Sequence, residues 1–139
     1  MMKKALIAYV ATLAAFLALD GLWLGVLMAS TYRALLGSLM LEQPLWAPAA
    51  VFYLLYVVGC VVFVVLPARS WQHAARLGAL LGVVAYGTYD LSNWATLQGW
   101  SARLAWMDMA WGAIATCIAC TVGFLVASRI SGSVCNRPI

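Results

Sequence analysis

The fold of this chain is decided by an uninterrupted apolar run at Trp46–Leu66, which reads WAPAAVFYLLYVVGCVVFVVL and holds no charged residue. A helix needs about 20 predominantly apolar residues to cross the hydrocarbon core of a bilayer, and this run meets that length. The composition of all 139 residues agrees with it, since 66% are hydrophobic and 9% are charged. In soluble domains, roughly 45–50% of the residues are hydrophobic and about 25% are charged. The composition therefore excludes an ordinary soluble fold, a disordered chain and a nucleic-acid-binding module.

Three further apolar runs accompany this one, at about Ala5–Ala29, Ala75–Leu97 and Ala102–Ser128. Backbone groups in hydrocarbon must be paired within their own segment, so each run is predicted to form a helix. We therefore expect an all-α membrane protein with one domain over residues 1–130, a four-transmembrane-helix up-down bundle. The polar residues 131–139 are predicted to form a disordered tail.

The distribution of lysine and arginine predicts how the bundle is oriented. One side carries Lys3, Lys4, Arg69, Arg76, Arg129 and Arg137. The other side carries only Arg33 and Arg103. Cytoplasmic loops are enriched in these residues, so both termini and the tail are expected in the cytoplasm. The net charge of +4 follows from this pattern, and no nucleic-acid partner is expected.

The connections between the runs carry their own signals. The longest connection covers residues 30–45 and has apolar residues at helical spacing, namely Leu35, Leu36, Leu39 and Met40. We therefore expect it to rest on the outer surface of the membrane. Gly99 is typical of a helix C-cap, and Ser101 is typical of an N-cap for the last helix.

Most of the acidic residues lie inside predicted spans, where they are rare. Asp20, Asp90 and Asp108 are in spans, and only Glu42 is in a connection. An aspartate at the centre of a membrane helix costs roughly 2.5–3.5 kcal/mol on insertion scales. Such residues face the interior of a bundle and mark functional sites. With a rise of about 1.5 Å per residue, all three fall in the outer half of the bilayer, so they are expected to form one site there.

Aromatic residues accompany these aspartates, with an indole about one helical turn from each. Tryptophan and tyrosine join an apolar body to a hydrogen-bond donor, which suits a carboxylate in low dielectric. The predicted ligand-binding residues are Asp20, Trp23, Tyr53, Tyr56, Tyr86, Tyr89, Asp90, Asn93, Trp94, Asp108 and Trp111. Three other tryptophans, Trp46, Trp100 and Trp106, are assigned to an interfacial belt. Helix dipoles favour an ionised Asp108 and proton-carrying Asp20 and Asp90. The alternative is structural, with the aspartates in a hydrogen-bonded clasp or paired with Arg33 or Arg103.

The other reactive residues predict no metal site and no cofactor, and no catalytic residue is assigned. Cys117 and Cys120 have CxxC spacing, but no second pair and no nearby histidine accompanies them, which favours simple packing. His73 is the only histidine, so a histidine-based metal site or triad is excluded. The motifs Gly21–Gly25 and Gly78–Gly82 favour close helix packing, either within the chain or in a homodimer.

The combined motifs DGLWLG (20–25), FYLLY (52–56), YDLSNWATL (89–97) and DMAWG (108–112) resemble a known family. It is the bacterial domain-of-unknown-function family 2177, and the likeness runs from Lys3 to about Ile130. The stretch 89–97 is its most specific part. The resemblance implies a small four-helix, multi-pass protein of the bacterial inner membrane, and it implies no activity.

Three functions remain open from the sequence. The first is binding or transport of a small amphipathic or cationic ligand in an outer-leaflet pocket, with coupling to proton movement as one version. The second is a structural or assembly subunit of the membrane, in which the aspartates hold helices together. The third is an intramembrane acid-base enzyme that acts on a lipid or isoprenoid. The lipid bilayer is the expected surrounding in all three.

Overall fold

The structure, a computed structural model, describes residues 1–135, with side chains through Ile130. Its α-helices are α1 (Met2–Leu22), α2 (Ala29–Leu36), α3 (Trp46–Cys60), α4 (Trp71–Thr96) and α5 (Ala102–Cys135). A π-helical segment, Trp23–Leu27, extends α1, and another, Val61–Val65, extends α3; Gly37–Leu39 forms a 3₁₀ turn after α2. The prediction of an all-helical chain is confirmed, since residues 1–135 contain no strand.

Three helical stretches are long and apolar enough to cross a membrane. They are Met2–Leu27, Trp46–Val65 and Ala102–Ile130. The remaining long helix, α4, has 26 residues but a more polar composition, with Arg76 near its start and Asp90 and Asn93 near its end. Length and composition therefore support three spans directly, and α4 meets the length requirement only.

The two largest differences from the predicted bounds are at the ends of the first and last helices. The first predicted helix, Ala5–Ala29, ends as regular α-helix at Leu22, and the π turn and Met28 then redirect the chain into α2. The last helix continues through Cys135, so the predicted tail 131–139 begins inside α5, and residues 136–139 lie outside the described residues. A helix already paired in its backbone can continue past the apolar run, which explains the second difference.

The predicted caps Gly99 and Ser101 are present between α4 and α5, and Ser70 forms a further cap before α4. Gly99 has φ of +75°, a left-handed conformation that glycine adopts without strain. The Ser101 hydroxyl accepts a hydrogen bond from the backbone N–H of Leu104 at 3.3 Å, and Ser70 accepts one from His73 at 3.1 Å. These caps satisfy backbone donors at the start of each helix.

The centre of the bundle is α5, which packs against α1 on one side and α4 on the other. At Gly78 an added Cβ would come within 2.9 Å of the Thr116 carbonyl, and at Gly82 it would collide with the Gly112 backbone. This pair therefore serves packing within the chain. Around Gly21 and Gly25 an added Cβ would meet no atom within 4 Å, so that motif packs against no described residue.

The apolar core fills the half of the bundle predicted to be cytoplasmic. It joins Ala8, Val57, Cys60, Val61, Val64, Val65, Ala74, Cys120 and Ala127, all buried. A second cluster of Phe16, Ala115 and Ala119 lies along α1 and α5 toward the aspartates. Phe16 is fully buried and lies one turn before Asp20. The aspartates consequently lie at the far end of the bundle from the main core.

Candidate functional site

Asp20, near the end of α1, is bound by three donors from three other helices. Its Oδ2 accepts from the Tyr53 hydroxyl of α3 at 2.5 Å. Its Oδ1 accepts from the Trp111 indole N–H of α5 at 3.2 Å and from the Tyr86 hydroxyl of α4 at 3.4 Å. Through these three hydrogen bonds, Asp20 on α1 joins four helices at one point. Hydrogen bonds to a charged group are stronger than those between neutral groups.

Asp108, in the first turns of α5, is bound from the connection that contains α2. The Tyr32 hydroxyl on α2 donates to its Oδ1, and the Trp23 indole N–H donates in turn to the Tyr32 oxygen at 3.3 Å. Burial and the hydrogen bond to Asp108 raise the pKa of Tyr32 well above its usual range. Tyr32 therefore stays a donor at neutral pH.

Two stacked indoles connect the two aspartates. The rings of Trp23 and Trp111 lie 4.4 Å apart between centroids, with an angle of 2° between their planes. Trp111 donates to Asp20, and Trp23 donates to the Tyr32 hydroxyl that binds Asp108. One aromatic stack thus fixes both carboxylates.

Asp90 differs from the other two aspartates. It is fully buried in α4, and neither carboxyl oxygen has a hydrogen-bond partner among the described residues. Asp108 is close enough to act on it electrostatically. The two do not join Asp20 in a metal cluster, because no group of three or more His, Cys, Asp or Glu in the described part is arranged to hold a metal ion.

A cavity of about 540 Å³ lies beside Asp20 and Asp108 and opens on one side. Its lining is Asp20, Trp23, Leu24, Tyr32, Leu36, Ala49, Phe52, Tyr53, Ala85, Tyr86, Tyr89, Trp100, Leu104 and Asp108. Three of the four lining tyrosine hydroxyls, those of Tyr32, Tyr53 and Tyr86, are hydrogen-bonded to the two acids, and most of the other lining side chains are apolar or aromatic. None of these lining residues is a lysine or an arginine. An enclosure with few polar groups in apolar walls is typical of small-molecule sites.

Six of the predicted residues line this cavity, and the others lie elsewhere. The six are Asp20, Trp23, Tyr53, Tyr86, Tyr89 and Asp108. Trp111 lies behind the lining, bonded to Asp20. The Tyr56 hydroxyl pairs with Thr116 at 2.8 Å. Neither Asn93 nor Trp94 is part of the lining, and Trp94 is 44% exposed.

The predicted arginine partners are not part of this arrangement. Arg33 and Arg103 are both exposed, and among residues 1–130 no ion pair joins either of them to an aspartate. The aspartates are held by aromatic hydroxyl and indole groups instead. Neutral donors satisfy a carboxylate without the desolvation of a second charge.

Sequence reasoning missed three parts of the cavity wall. Tyr32 was hidden in the connection, which was expected to rest on the membrane surface but folds its Tyr32 and Leu36 into the cavity. Trp100, assigned to the belt, lies edge-to-face against Tyr89 with centroids 5.7 Å apart. Phe52 lies in the apolar run of α3, where the sequence pattern is typical of a helix face that contacts lipid. The helical spacing of Tyr32 and Leu36 was the one signal that pointed inward.

The chain was compared with known proteins. A family model described as "Predicted membrane protein (DUF2177)" matches residues 5–125. No protein with a curated description matches the chain, and no solved structure matches it. The match includes most of each of the four long helices and every aspartate of the site. The chain therefore belongs to the DUF2177 family of predicted membrane proteins.

Proposed function

We propose that the protein is a multi-pass protein of the bacterial inner membrane, with four crossings and cytoplasmic termini. Three helices meet the span criteria. The fourth crossing is α4, which packs along α5 through Gly78 and Gly82 and so lies parallel to a spanning helix. The lysine and arginine bias supports the orientation. In this orientation the cavity beside Asp20 and Asp108 lies near the periplasmic surface.

We propose that this cavity binds a small amphipathic or cationic ligand. The observation that supports this proposal is the cavity itself. Two carboxylates face about 540 Å³ of space that has aromatic walls and no basic residue among its described lining. Aromatic faces attract cations, most strongly where water is excluded. A carboxylate that accepts hydrogen bonds from fixed donors still has acceptor sites left, which can bind a hydrogen-bond donor or a cation of the ligand.

The aspartates take different roles in this proposal. Asp20 accepts from three donors and mainly positions the wall. Asp108, bound by fewer groups, makes the direct contact with the ligand cation. Asp90 holds a proton in the resting state, because a charged carboxylate without a hydrogen bond is costly in hydrocarbon. The proton that the sequence predicts on Asp20 stays a prediction.

The cavity fits a ligand-binding site better than part of a continuous channel. Phe16 and the small residues Ala115 and Ala119 close the bundle directly inward of Asp20. Beyond them lies the apolar core, with no acidic or basic member. Transport would require the helices to separate there, so the resting structure is closed toward the cytoplasm.

A structural role is the second candidate, and the contacts of Asp20 favour it. One carboxylate that joins α1 to α3, α4 and α5 holds the outer end of the bundle together. This role and ligand binding predict different results for Asp108, which faces the cavity but is bound only by the outer connection and the adjacent indole.

The test is calorimetric titration of benzyltrimethylammonium into the protein in phosphatidylcholine nanodiscs. This cation is permanently charged and carries an aromatic face. We expect saturable binding that Asp108→Asn weakens by about tenfold, the effect of losing roughly 1.4 kcal/mol. Glu42→Gln removes an acidic charge from the exposed outer connection and should leave binding unchanged. Absence of saturable binding by the wild type, or equal loss in both variants, would contradict the proposal.

A further inference from the structure

A second space lies between α3 and α4, next to the carboxylate cavity. It has a volume of about 500 Å³ and is lined by Phe52, Leu55, Tyr56, Val58, Gly59, Val62, Phe63, Leu81 and Ala85. We call it the lateral groove. Two of its residues, Phe52 and Ala85, also line the carboxylate cavity. The two spaces therefore share a wall, and together they run from the aspartates toward the centre of the membrane.

The groove exists because α3 and α4 diverge toward the aspartates. α3 packs on α1 and reaches α4 mainly through the π-helical segment Val61–Val65 at its other end. On the opposite side of the bundle, the glycines of α4 bring α4 and α5 into backbone contact. The open side between α3 and α4 faces the surroundings, since Leu55 and Phe63 are each 69% exposed. In a membrane those surroundings are lipid chains.

The two spaces differ sharply in chemistry. The carboxylate cavity holds two acids and the hydroxyls of four tyrosines, Tyr32, Tyr53, Tyr86 and Tyr89. Among the described residues that line the lateral groove, the Tyr56 hydroxyl is the only polar side-chain group, and it is paired with Thr116. A ligand that fills both spaces must therefore have a polar head and an apolar chain. The stretch from Phe52 on α3 to Val62 in the π-helical segment extends about 15 Å, which is about the length of a dodecyl chain.

The charge of the lining restricts the head group. Asp20 and Asp108 contribute negative charge, and no lysine or arginine lines either space. A phosphate would meet like charge in low dielectric, where repulsion is strong. An ammonium head would meet the carboxylates of Asp20 and Asp108 and an aromatic lining instead.

We propose that the ligand is a single-chain, phosphate-free amphiphile with an ammonium head, drawn from the bilayer. Its head lies in the carboxylate cavity, and its hydrocarbon chain lies in the lateral groove between α3 and α4. Phe52 and Ala85 form the passage between head and chain. This inference rests on the proposed function of the carboxylate cavity and adds the ligand class and its route of entry.

The test is photocrosslinking in phosphatidylcholine nanodiscs with two dodecylamine probes. One carries a diazirine beside the amine, and the other carries it at the end of the chain. Peptide mapping should place the head-group label on residues around Tyr32 and Tyr53. The chain-end label should fall on the groove, at Leu55, Phe63 or Leu81, and excess dodecylamine should compete for both. Excess dodecyl phosphate should compete for neither.

Two matched variants test the passage. Ala85→Phe places a ring where the two spaces meet, and we expect it to reduce chain-end labelling of the groove by about tenfold, in line with the cost of overfilling a packed site. Val84→Phe adds the same ring at the neighbouring position, which is 55% exposed and lines neither space, and it should leave labelling unchanged.

The outcomes separate this inference from the proposed function. One outcome is that dodecylamine competes for head-group labelling while the chain-end labels are spread over lipid-facing residues of α1 and α5. That outcome would overturn the groove proposal and leave the cavity proposal standing. Labelling that dodecylamine does not compete would overturn both. Equal competition by dodecyl phosphate would overturn the assigned ammonium head.

Discussion

Trp23 and Trp111 stack face to face, with centroids 4.4 Å apart, and each serves a different aspartate. The Trp111 N–H donates to Asp20 on the helix that carries Trp23. The Trp23 N–H donates to Tyr32, which binds Asp108 on the helix that carries Trp111. The two helices are thus joined reciprocally at the level of the cavity. The stack sets the separation of the two carboxylates that a ligand would meet.

Replacing one indole tests the strength of this link. Trp111→Phe keeps an aromatic ring but removes the donor to Asp20, and a lost hydrogen bond to a charged group costs about 1.5–3 kcal/mol. We expect a lower midpoint of thermal unfolding in detergent. Trp106→Phe is the control, because Trp106 is 59% exposed and should unfold as the wild type does. Equal midpoints for both variants would mean that the bond to Asp20 contributes nothing to stability.

The connection that contains α2 provides a second test. Tyr32→Phe removes the hydroxyl that binds Asp108, so α2 loses its polar contact with α5. We expect faster amide hydrogen exchange over residues 29–36, measured by mass spectrometry in nanodiscs. Ser30→Ala changes an exposed hydroxyl in the same helix and should leave the exchange rate as it is. If Tyr32→Phe exchanges like the wild type, other contacts hold α2 in place.

The proton assigned to Asp90 can be observed directly. A protonated carboxyl gives an infrared C=O band separate from that of a carboxylate, and we expect such a band in the wild type at neutral pH. Asp90→Asn should remove the band, because the Asp90 carboxyl has no hydrogen-bond partner among the described residues. Asp20→Asn should retain the band. A band that survives Asp90→Asn and disappears in Asp20→Asn would reverse the assignment.

The two glycine motifs should respond differently to one added methyl group. Gly82→Ala places a Cβ against the Gly112 backbone, which cannot move aside as a side chain can. Overpacking of this kind costs typically about 1–3 kcal/mol, so the unfolding midpoint should fall clearly. Gly21→Ala meets open space and should be tolerated by the monomer. A drop in dimer content for Gly21→Ala, measured by crosslinking, would instead support a homodimer through α1.

The fold was largely predictable because apolar length and boundary residues are local properties. The run Trp46–Leu66 became α3 and its π extension, and the caps at Gly99 and Ser101 are where the sequence placed them. The π turn after Leu22 could not be predicted, because its hydrogen bonds satisfy the same backbone groups as an α-helix does. The composition of α4 supports a span less well than that of the other long helices, because polar residues such as Asp90 and Asn93 lie near its end.

The site was predictable only in part. The cost of burying Asp20 and Asp108 in a membrane indicated where they lie, and both line the cavity. Helix periodicity could not decide between Trp94 and Trp100, since the choice depends on how α4 leads into the next connection. Tyr32 was missed because its partner, Asp108, lies 76 residues away in the chain. Contacts of that range depend on the bundle as a whole.

A native mass spectrum of the protein, released from its own membranes without added ligand, tests the central claim most directly. We predict a retained amine-containing adduct that benzyltrimethylammonium displaces and that Asp108→Asn loses, while Glu42→Gln keeps it. A wild-type spectrum of the bare chain, together with no uptake of benzyltrimethylammonium, would contradict a ligand pocket at Asp20 and Asp108.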